Sequence, residues 1–332
     1  MRAKIAGYFA GFAALVMTAA PVLAQRSGID SWDPLARRLD RSPAAPMLSG
    51  DQRGPDLEAL NRILSSPRLS AFDRSIYLSI RAYQLSRLGR QADSRKDIAE
   101  MGKVLPAAWP LILSGTVPEL AGGGDRAAAL RTLDSALEQK PGDAWLTIAQ
   151  AQVYMQIADF VRALGLLDGA LAGPTTPADR RAALYFRGQA NFNLGQYARA
   201  AEDFDASLTD RASFRSRLGP LLWRYAAQAR GRLDARARLA RDVGAESLAD
   251  WPGPIAAFLL GRLPVGELAV VAETDDAAKR ADGKCPAAFF VGIEALRRGE
   301  RQRASEQFRL AQARCPTISE FNWAATSELK RL

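Results

Sequence analysis

Apolar residues along this chain recur three or four apart, the spacing of one helix face, in stretches broken by glycine or proline. Leu57, Leu60 and Leu64 mark a first helix over 56–65, closed by Pro67. Paired helices follow at 73–88 and 92–105 (turn at Gly89), 109–120 and 125–140, 144–157 and 160–171, and 180–194 and 197–208 (turn at Gly195-Gln196). The helix over 109–120 is the poorest, since it carries Pro110 and Pro118 and runs into Gly122-Gly123-Gly124. Two further hairpins are read at 219–244 and 251–280, then a strong one at 288–316. A last helix at 320–332 has Phe321, Ala324, Ala325 and Leu329 on its packed face. No strand pattern competes with this all-α reading.

The hairpins share a phase. Small residues at Ser94, Ala129, Ala163 and Ala200 are separated by 35, 34 and 37 residues, and Ala304 follows 104 further on. Four residues beyond each lies a large one: Ile98, Leu133, Leu167, Phe204 and Phe308. Three beyond that are Met101, Ala136, Ala170, Ser207 and Ala311. Helix-ending prolines sit at Pro106, Pro141 and Pro316, while Pro174 and Pro177 straddle the expected place in the third repeat. With Gly292, these are positions 8, 20, 24, 27 and 32 of the 34-residue tetratricopeptide repeat. Small residues at 8 and 20 let the two helices of a hairpin approach, and the large residue at 24 fills the groove between hairpins. The expected fold is a tetratricopeptide-repeat solenoid over 56–218, divergent hairpins over 219–280, and a C-terminal repeat with a capping helix over 281–332. A closing helix keeps the apolar end of such a stack out of water.

At the N-terminus, Arg2 and Lys4 precede an apolar run over 5–20 and the small-residue end Val22-Leu23-Ala24. That order of basic, apolar and A-x-A-like segments is the pattern of a cleavable secretory signal over 1–24. Gly7, Gly11 and Pro21 interrupt the run, which argues against a membrane anchor. Gln25 stands where a lipoprotein signal has its acylated cysteine. The expectation is a periplasmic protein without a lipid tether, with a mobile segment over 25–55; the alternative is that Trp32 and Leu35 dock on a neighbouring subunit.

Charge and chemistry narrow the function. The net charge of +9 falls to +7 without Arg2 and Lys4; only seven of the 45 basic residues are lysine. Such a surface favours acidic partners or peripheral contact with anionic membranes, and an exported chain does not meet nucleic acid. The chain has no histidine. Ser-His-Asp and Cys-His catalysis are therefore excluded, as are the common zinc sites. The acid pairs Asp203/Asp205 and Asp275/Asp276 are read as solvated charges, and no phosphate-binding glycine loop follows a strand. No catalytic group, metal or cofactor is expected. Cys285 and Cys315 fall at positions 1 and 31 of the last repeat, which a hairpin brings to the same end. In an oxidising compartment they are expected to form a disulfide.

Helical solenoids bind along the face lined by the first helix of each repeat. Its positions 2, 5, 9, 12 and 13 include Trp145, Gln152 and Gln156 in the third repeat and Tyr185, Gln189, Phe192 and Asn193 in the fourth. Tyr83 and Arg87 are the contribution of the first. Rows of side-chain amides can bond the backbone of an extended peptide while the rings supply apolar pockets. The alternative is that these aromatics pack under C-terminal helices that curl back over them. A second candidate surface is the arginine run from Arg211 through Arg215, Arg217, Arg224, Arg230, Arg232, Arg236 and Arg238 to Arg241, read either as a solvated face or as a site for an acidic partner or phospholipid headgroup.

The C-terminal half resembles the NlpI family of periplasmic tetratricopeptide-repeat lipoproteins. The resemblance is carried by Leu221-Leu222-Trp223-Arg224-Tyr225, Trp251-Pro252, Phe258-Leu259-Leu260-Gly261 and Phe289-Phe290-Val291-Gly292. It continues through Arg298-Gly299-Glu300, residues 304–311 and Phe321 to the closing Glu328-Leu329-Lys330-Arg331-Leu332. It implies an all-helical, often homodimeric adaptor that binds a periplasmic C-terminal processing protease and presents peptidoglycan hydrolases to it. The missing lipobox cysteine departs from the family. The other readings of the same fold are a scaffold for envelope assembly or division and, from a different class, a helical-solenoid cell-wall hydrolase.

Overall fold

The computed structural model describes residues 57–332 apart from 123, 209–212 and 274–276, and gives only the backbone at 119, 215 and 277–284. The expected signal peptide, the 25–55 segment with Trp32 and Leu35, and the pair Asp275/Asp276 lie outside the described residues. Within them the chain is all-α, with no strand. The helices are α1 (Leu57–Leu64), α2 (Ala71–Arg87), α3 (Gln91–Val104), α4 (Trp109–Gly122), α5 (Arg126–Gln139), α6 (Ala144–Gln156), α7 (Phe160–Ala172), α8 (Pro177–Asn193), α9 (Tyr197–Ser207) and α10 (Phe214–Arg230). They continue as α11 (Ala235–Val243), α12 (Gly253–Leu259), α13 (Val265–Ala272), α14 (Ala277–Arg297), α15 (Arg301–Arg314) and α16 (Glu320–Leu329). Two compact units divide the described chain, 57–183 and 184–332.

Local chemistry sets the helix ends. Ser70, Asp125, Asp143, Asp159, Ser213, Asp234 and Ser319 each cap a helix by accepting a backbone N–H of its first turn. Within four hairpins the turn passes through a residue of positive φ at repeat position 15: Gly89 (73°), Ala158 (59°), Gly195 (78°) and Gly299 (81°). The following N–H then reaches back five residues, as in Arg90 N to Leu85 O (2.9 Å) and Glu300 N to Ala295 O (2.9 Å). The same turn joins α10 to α11 through Arg232 (φ 60°), with Leu233 N donating to Gln228 O at 2.9 Å. Gly261 (φ 76°) makes it again between α12 and α13. The repeat backbone thus persists through 219–280, where the residue pattern is lost.

In the N-terminal unit the helices pair in sequence, and α4 packs against α2, α5 and α6. Almost every described side chain of α4 is buried, which accounts for its apolar composition. Its polar groups turn inward: Ser114 Oγ donates to Leu111 O (2.9 Å), and Thr116 Oγ1 lies 2.9 Å from both Ser79 Oγ and Ile112 O. Arg81 and Asp97, at repeat positions 7 and 23, form an ion pair at 2.6 Å. Arg187 and Asp203 repeat it at 2.6 Å in the C-terminal unit.

In the C-terminal unit, α10 packs on α9, α12 and α14, and α14 packs on α15 and α16. The position-8 glycines show why they are small. A Cβ on Gly188 would lie 2.8 Å from the Phe204 ring, and one on Gly292 would lie 2.6 Å from that of Phe308. Trp223 sits at the centre, stacked between Phe204 (5.9 Å, 22°) and Phe321 (5.3 Å, 7°) and edge-on to Phe192 (5.5 Å). Cys285 and Cys315 form a disulfide that ties α14 to the end of α15, with Cα atoms 4.8 Å apart. Two expected boundaries move. Residues 218/219 fall inside α10 and 280/281 inside α14, because Pro220 and Pro286 are carried within helices rather than starting them.

Candidate partner-binding surface

The nine residues read as lining one groove have different fates, unit by unit. In the C-terminal unit, Tyr185, Gln189, Phe192 and Asn193 on α8 are buried, with Phe192 at 0% exposure and Gln189 at 1%. Phe192 lies edge-on to Tyr197, Trp223 and Phe289. Asn193 Oδ1 accepts from Ser327 Oγ (2.8 Å), and Asn193 O accepts from Arg331. This part of the open groove is corrected: the α8 face is covered by α10, α14 and α16. The physical reason is the ring content of α10 and α14, whose Trp223, Phe289 and Phe290 would otherwise face water.

Burial raises the Tyr185 phenol well above its ordinary value, and the Glu320 charge raises it further. Gln189 and Trp223 stand close enough to act on that hydroxyl in the opposite sense, yet neither reaches hydrogen-bond geometry. Gln189 Oε1 and Trp223 Nε1 are both buried without a partner.

In the N-terminal unit the predicted residues are partly accessible. Tyr83 is buried and structural: its hydroxyl donates to Leu120 O (3.1 Å) and accepts from Asp125 N (3.2 Å). Trp145 is buried on α6. Gln156 is half-buried, its amide donating to Pro118 O at 2.8 Å. Arg87 is half-exposed, bonded to Gln84 Oε1 (3.1 Å) and 6.0 Å from the Tyr83 ring. Gln152 is half-exposed and makes no hydrogen bond among the described residues. With Gln156 Oε1 buried as well, Gln152 and Arg87 are the predicted residues that a partner can reach in this unit.

Most described arginines of the run are ion-paired, but only Arg224 is buried; the side chains of Arg236 and Arg238 are 40% and 42% exposed, as on a solvated face. Arg224 is 2% exposed and bridges Asp205 and Asp242. Arg230 holds Glu328 at 2.6 Å, Arg236 holds Glu294 at 2.9 Å, and Arg238 holds Asp205 at 3.1 Å. Arg232 and Arg241 remain exposed. Arg211 and the side chain of Arg215 lie outside the described residues. Asp203 is buried against Arg187 and Asn191 rather than solvated, whereas Asp205 is exposed, as read, while pairing with Arg224 and Arg238.

Sequence reasoning missed the two carboxylate cages. Glu294, 2% exposed, accepts from Tyr225 Oη (2.8 Å), Arg236, Arg297 and Arg298. Glu328, fully buried, accepts from Tyr197 Oη (2.7 Å), Arg230 and Arg331. Burial raises the Glu294 carboxyl, but the Arg297 and Tyr225 hydrogen bonds outweigh it and the net shift is downward. Burial and the Glu328 charge push the Tyr197 phenol up to about 12. The local signals were the arginines three and four residues after Glu294, Arg297 and Arg298, and Arg331 three residues after Glu328. Among the described residues no cluster of three or more His, Cys, Asp or Glu is arranged to hold a metal, and no helix is long and apolar enough to cross a membrane.

No family model and no curated protein matches the chain. A solved tetratricopeptide repeat protein from Parabacteroides merdae ATCC 43184 is similar to it at 18% identity and a TM-score of 0.41, covering 76% of this chain and 99% of that one. The assignment to tetratricopeptide-type hairpins rests on the chain's own repeated contacts: glycine under phenylalanine at positions 8 and 24, and the turn of positive φ at position 15.

Proposed function

We propose that this protein is a protein-interaction scaffold of the bacterial periplasm, exported by a cleaved signal over 1–24 and not lipid-tethered. The observation that carries the reading is the run of repeat hairpins in which the N-terminal unit keeps Gln152 and Arg87 accessible on its first helices. Stacked helical hairpins present such side chains on rigid elements for binding. Following the resemblance to NlpI-like proteins, its partners are a C-terminal processing protease and the peptidoglycan hydrolases it degrades, and the scaffold acts as a homodimer. A second reading keeps the scaffold and replaces the protease by envelope-assembly or division proteins. A cell-wall hydrolase is the outside reading, and single Asp or Glu substitutions that abolish peptidoglycan cleavage would rescue it.

Affinity capture with residues 25–332 from an extract of the protein's own cell envelope tests this. Enrichment of a processing protease with a hydrolase supports the adaptor, with capture reduced in a Gln152→Ala/Arg87→Ala variant. Recovery of assembly or division proteins moves the function to the second reading.

A further inference from the structure

The C-terminal unit builds one arrangement twice. A carboxylate drawn out of water is met by a tyrosine hydroxyl and by arginines. Glu294 accepts from Tyr225 Oη at 2.8 Å and pairs with Arg236, Arg297 and Arg298. Glu328 accepts from Tyr197 Oη at 2.7 Å and pairs with Arg230 and Arg331. Taking a carboxylate out of water is costly unless cations and hydrogen-bond donors replace the water. A guanidinium does both at once, because it carries five N–H donors in a fixed plane.

Glu320, in the first turn of α16, begins a third arrangement of this kind and lacks its cation. The tyrosine is at hand, since the Glu320 charge acts on the Tyr185 phenol of α8. Among the described residues no arginine or lysine pairs with Glu320. Burial raises its carboxyl, and only its own backbone N–H acts the other way. The neighbouring side chains supply no neutral donor instead. Gln189 Oε1 and Trp223 Nε1 flank the Tyr185 hydroxyl, and both lack a partner of their own.

Unlike the two complete cages, this one opens to solvent. Glu294 and Glu328 are 2% and 0% exposed, whereas Glu320 and Phe321 are both half-exposed. The Phe321 ring is held in place by its stack on Trp223 (5.3 Å, 7°). An accessible carboxylate beside a fixed aromatic ring suits a guanidinium arriving from outside, which pairs with the one and stacks on the other.

We propose that Glu320 and the Phe321 ring, backed by Tyr185, receive an arginine side chain of a partner protein, which supplies in trans the cation that Arg236, Arg297 and Arg298 supply to Glu294 in cis. Arginine is preferred to lysine, whose compact ammonium holds its water more strongly and does not stack. The inference deepens the scaffold reading and rests on it. It uses a surface in the other unit from Gln152 and Arg87.

The peptide acetyl-Gly-Arg-Gly-amide is titrated into the full-length protein, with the citrulline peptide as its uncharged isostere. The expected result is saturable binding of the arginine peptide, at least tenfold tighter than the citrulline peptide and at least tenfold weakened by Glu320→Gln. In protein carrying isotope-labelled glutamate carboxyls, saturation with the arginine peptide should lower the Glu320 titration midpoint by about one pH unit or more and leave that of Glu294 in place. Equal binding of the two peptides, no saturable binding, binding unchanged by Glu320→Gln, or an unmoved Glu320 midpoint overturns the proposal. Glu320→Gln removes a carboxylate that makes no ion pair, so the variant is expected to fold; if it does not, the midpoint decides. Envelope capture that survives failure of the peptide experiment leaves the scaffold reading standing and removes the arginine receptor alone.

Discussion

The two units pack the same kind of hairpin with different chemistry. In the N-terminal unit, helices meet through aliphatic side chains and small hydroxyls, beside individual buried rings such as Tyr77 and Tyr83 and the Arg81–Asp97 pair. Ser86 Oγ lies 3.1 Å from Ser94 Oγ and 2.9 Å from Thr132 Oγ1, joining α2, α3 and α5 in a chain of short-range bonds. In the C-terminal unit, helices meet through rings and buried charges. Trp223 contacts Phe192, Phe204, Phe289, Phe290 and Phe321, and Glu294, Glu328 and Arg224 are each paired while 2% exposed or less. Hydroxyl contacts between small residues let backbones approach and leave the first helices free to present side chains outward. Rings and charge cages bind helices to one another and consume the face that would otherwise bind a partner. Presentation and closure are thus divided between the units.

The largest test of that division is at its centre. Trp223→Ala should cost about 3–5 kcal/mol, by analogy with other large-to-small core changes. Denaturant unfolding followed by hydrogen exchange should show α8–α16 losing protection while α2–α6 keep theirs; equal loss in both would mean that the units do not fold separately. Glu294→Gln should follow at roughly 1.5–3 kcal/mol, since it removes the charge from a buried hydrogen-bond acceptor whose arginine partners keep access to water. Because its folded pKa is lowered, the Glu294 contribution is complete above the ordinary glutamate value and is lost as pH falls through its folded value. Acid titration of the variant should therefore be flatter than that of the parent below about pH 4.5.

Opening the disulfide acts through the unfolded chain. Cys285→Ser with Cys315→Ser releases a closure over a separation of 30 residues, worth about 3–4 kcal/mol in the chain-entropy description. Thermal unfolding with and without reductant checks this, the N-terminal unit serving as internal control. Glu320→Gln works in the opposite direction. Glu320 keeps some surface, yet its carboxyl is set among protein atoms and is pushed up to about 6. Its folded pKa is raised, so its contribution is present at acid pH and is lost as pH rises through about 6. The variant should melt higher than the parent at pH 7.5 and at the same temperature at pH 4. Smallest is Ala158→Gly in the N-terminal unit. Residue 158 holds a positive φ of 59°, where a Cβ costs ~1 kcal/mol, and glycine should raise the melting temperature by a few degrees. No gain would mean that the turn at 158 relaxes without strain.

Much was legible because it is local. Gly89, Gly195 and Gly299 announce turns, Pro106, Pro141 and Pro316 announce stops, and Gly292 with Phe308 announces a close helix pair. The Cys285–Cys315 bond followed from repeat phase together with the expected oxidising compartment, since a hairpin of fixed length returns its ends to one place. The hairpins over 219–280 were read without a repeat phase, since Arg232 holds a turn conformation that glycine usually supplies. The Glu294 and Glu328 cages were hidden for a different reason. Their partners lie up to 131 residues away, as Tyr197 does from Glu328, and no periodicity encodes a contact that distant.

The sequence by itself determined the helices, their turns and the spacing that makes hairpins stack, because backbone geometry and residue size act within a single repeat. Only the tertiary structure decided which binding faces stay open. Tyr185, Gln189, Phe192 and Asn193 carry the same positional pattern as Trp145, Gln152 and Gln156. They are closed over because Trp223, Phe289 and α16, placed by distant segments of chain, have more apolar surface to bury than water tolerates.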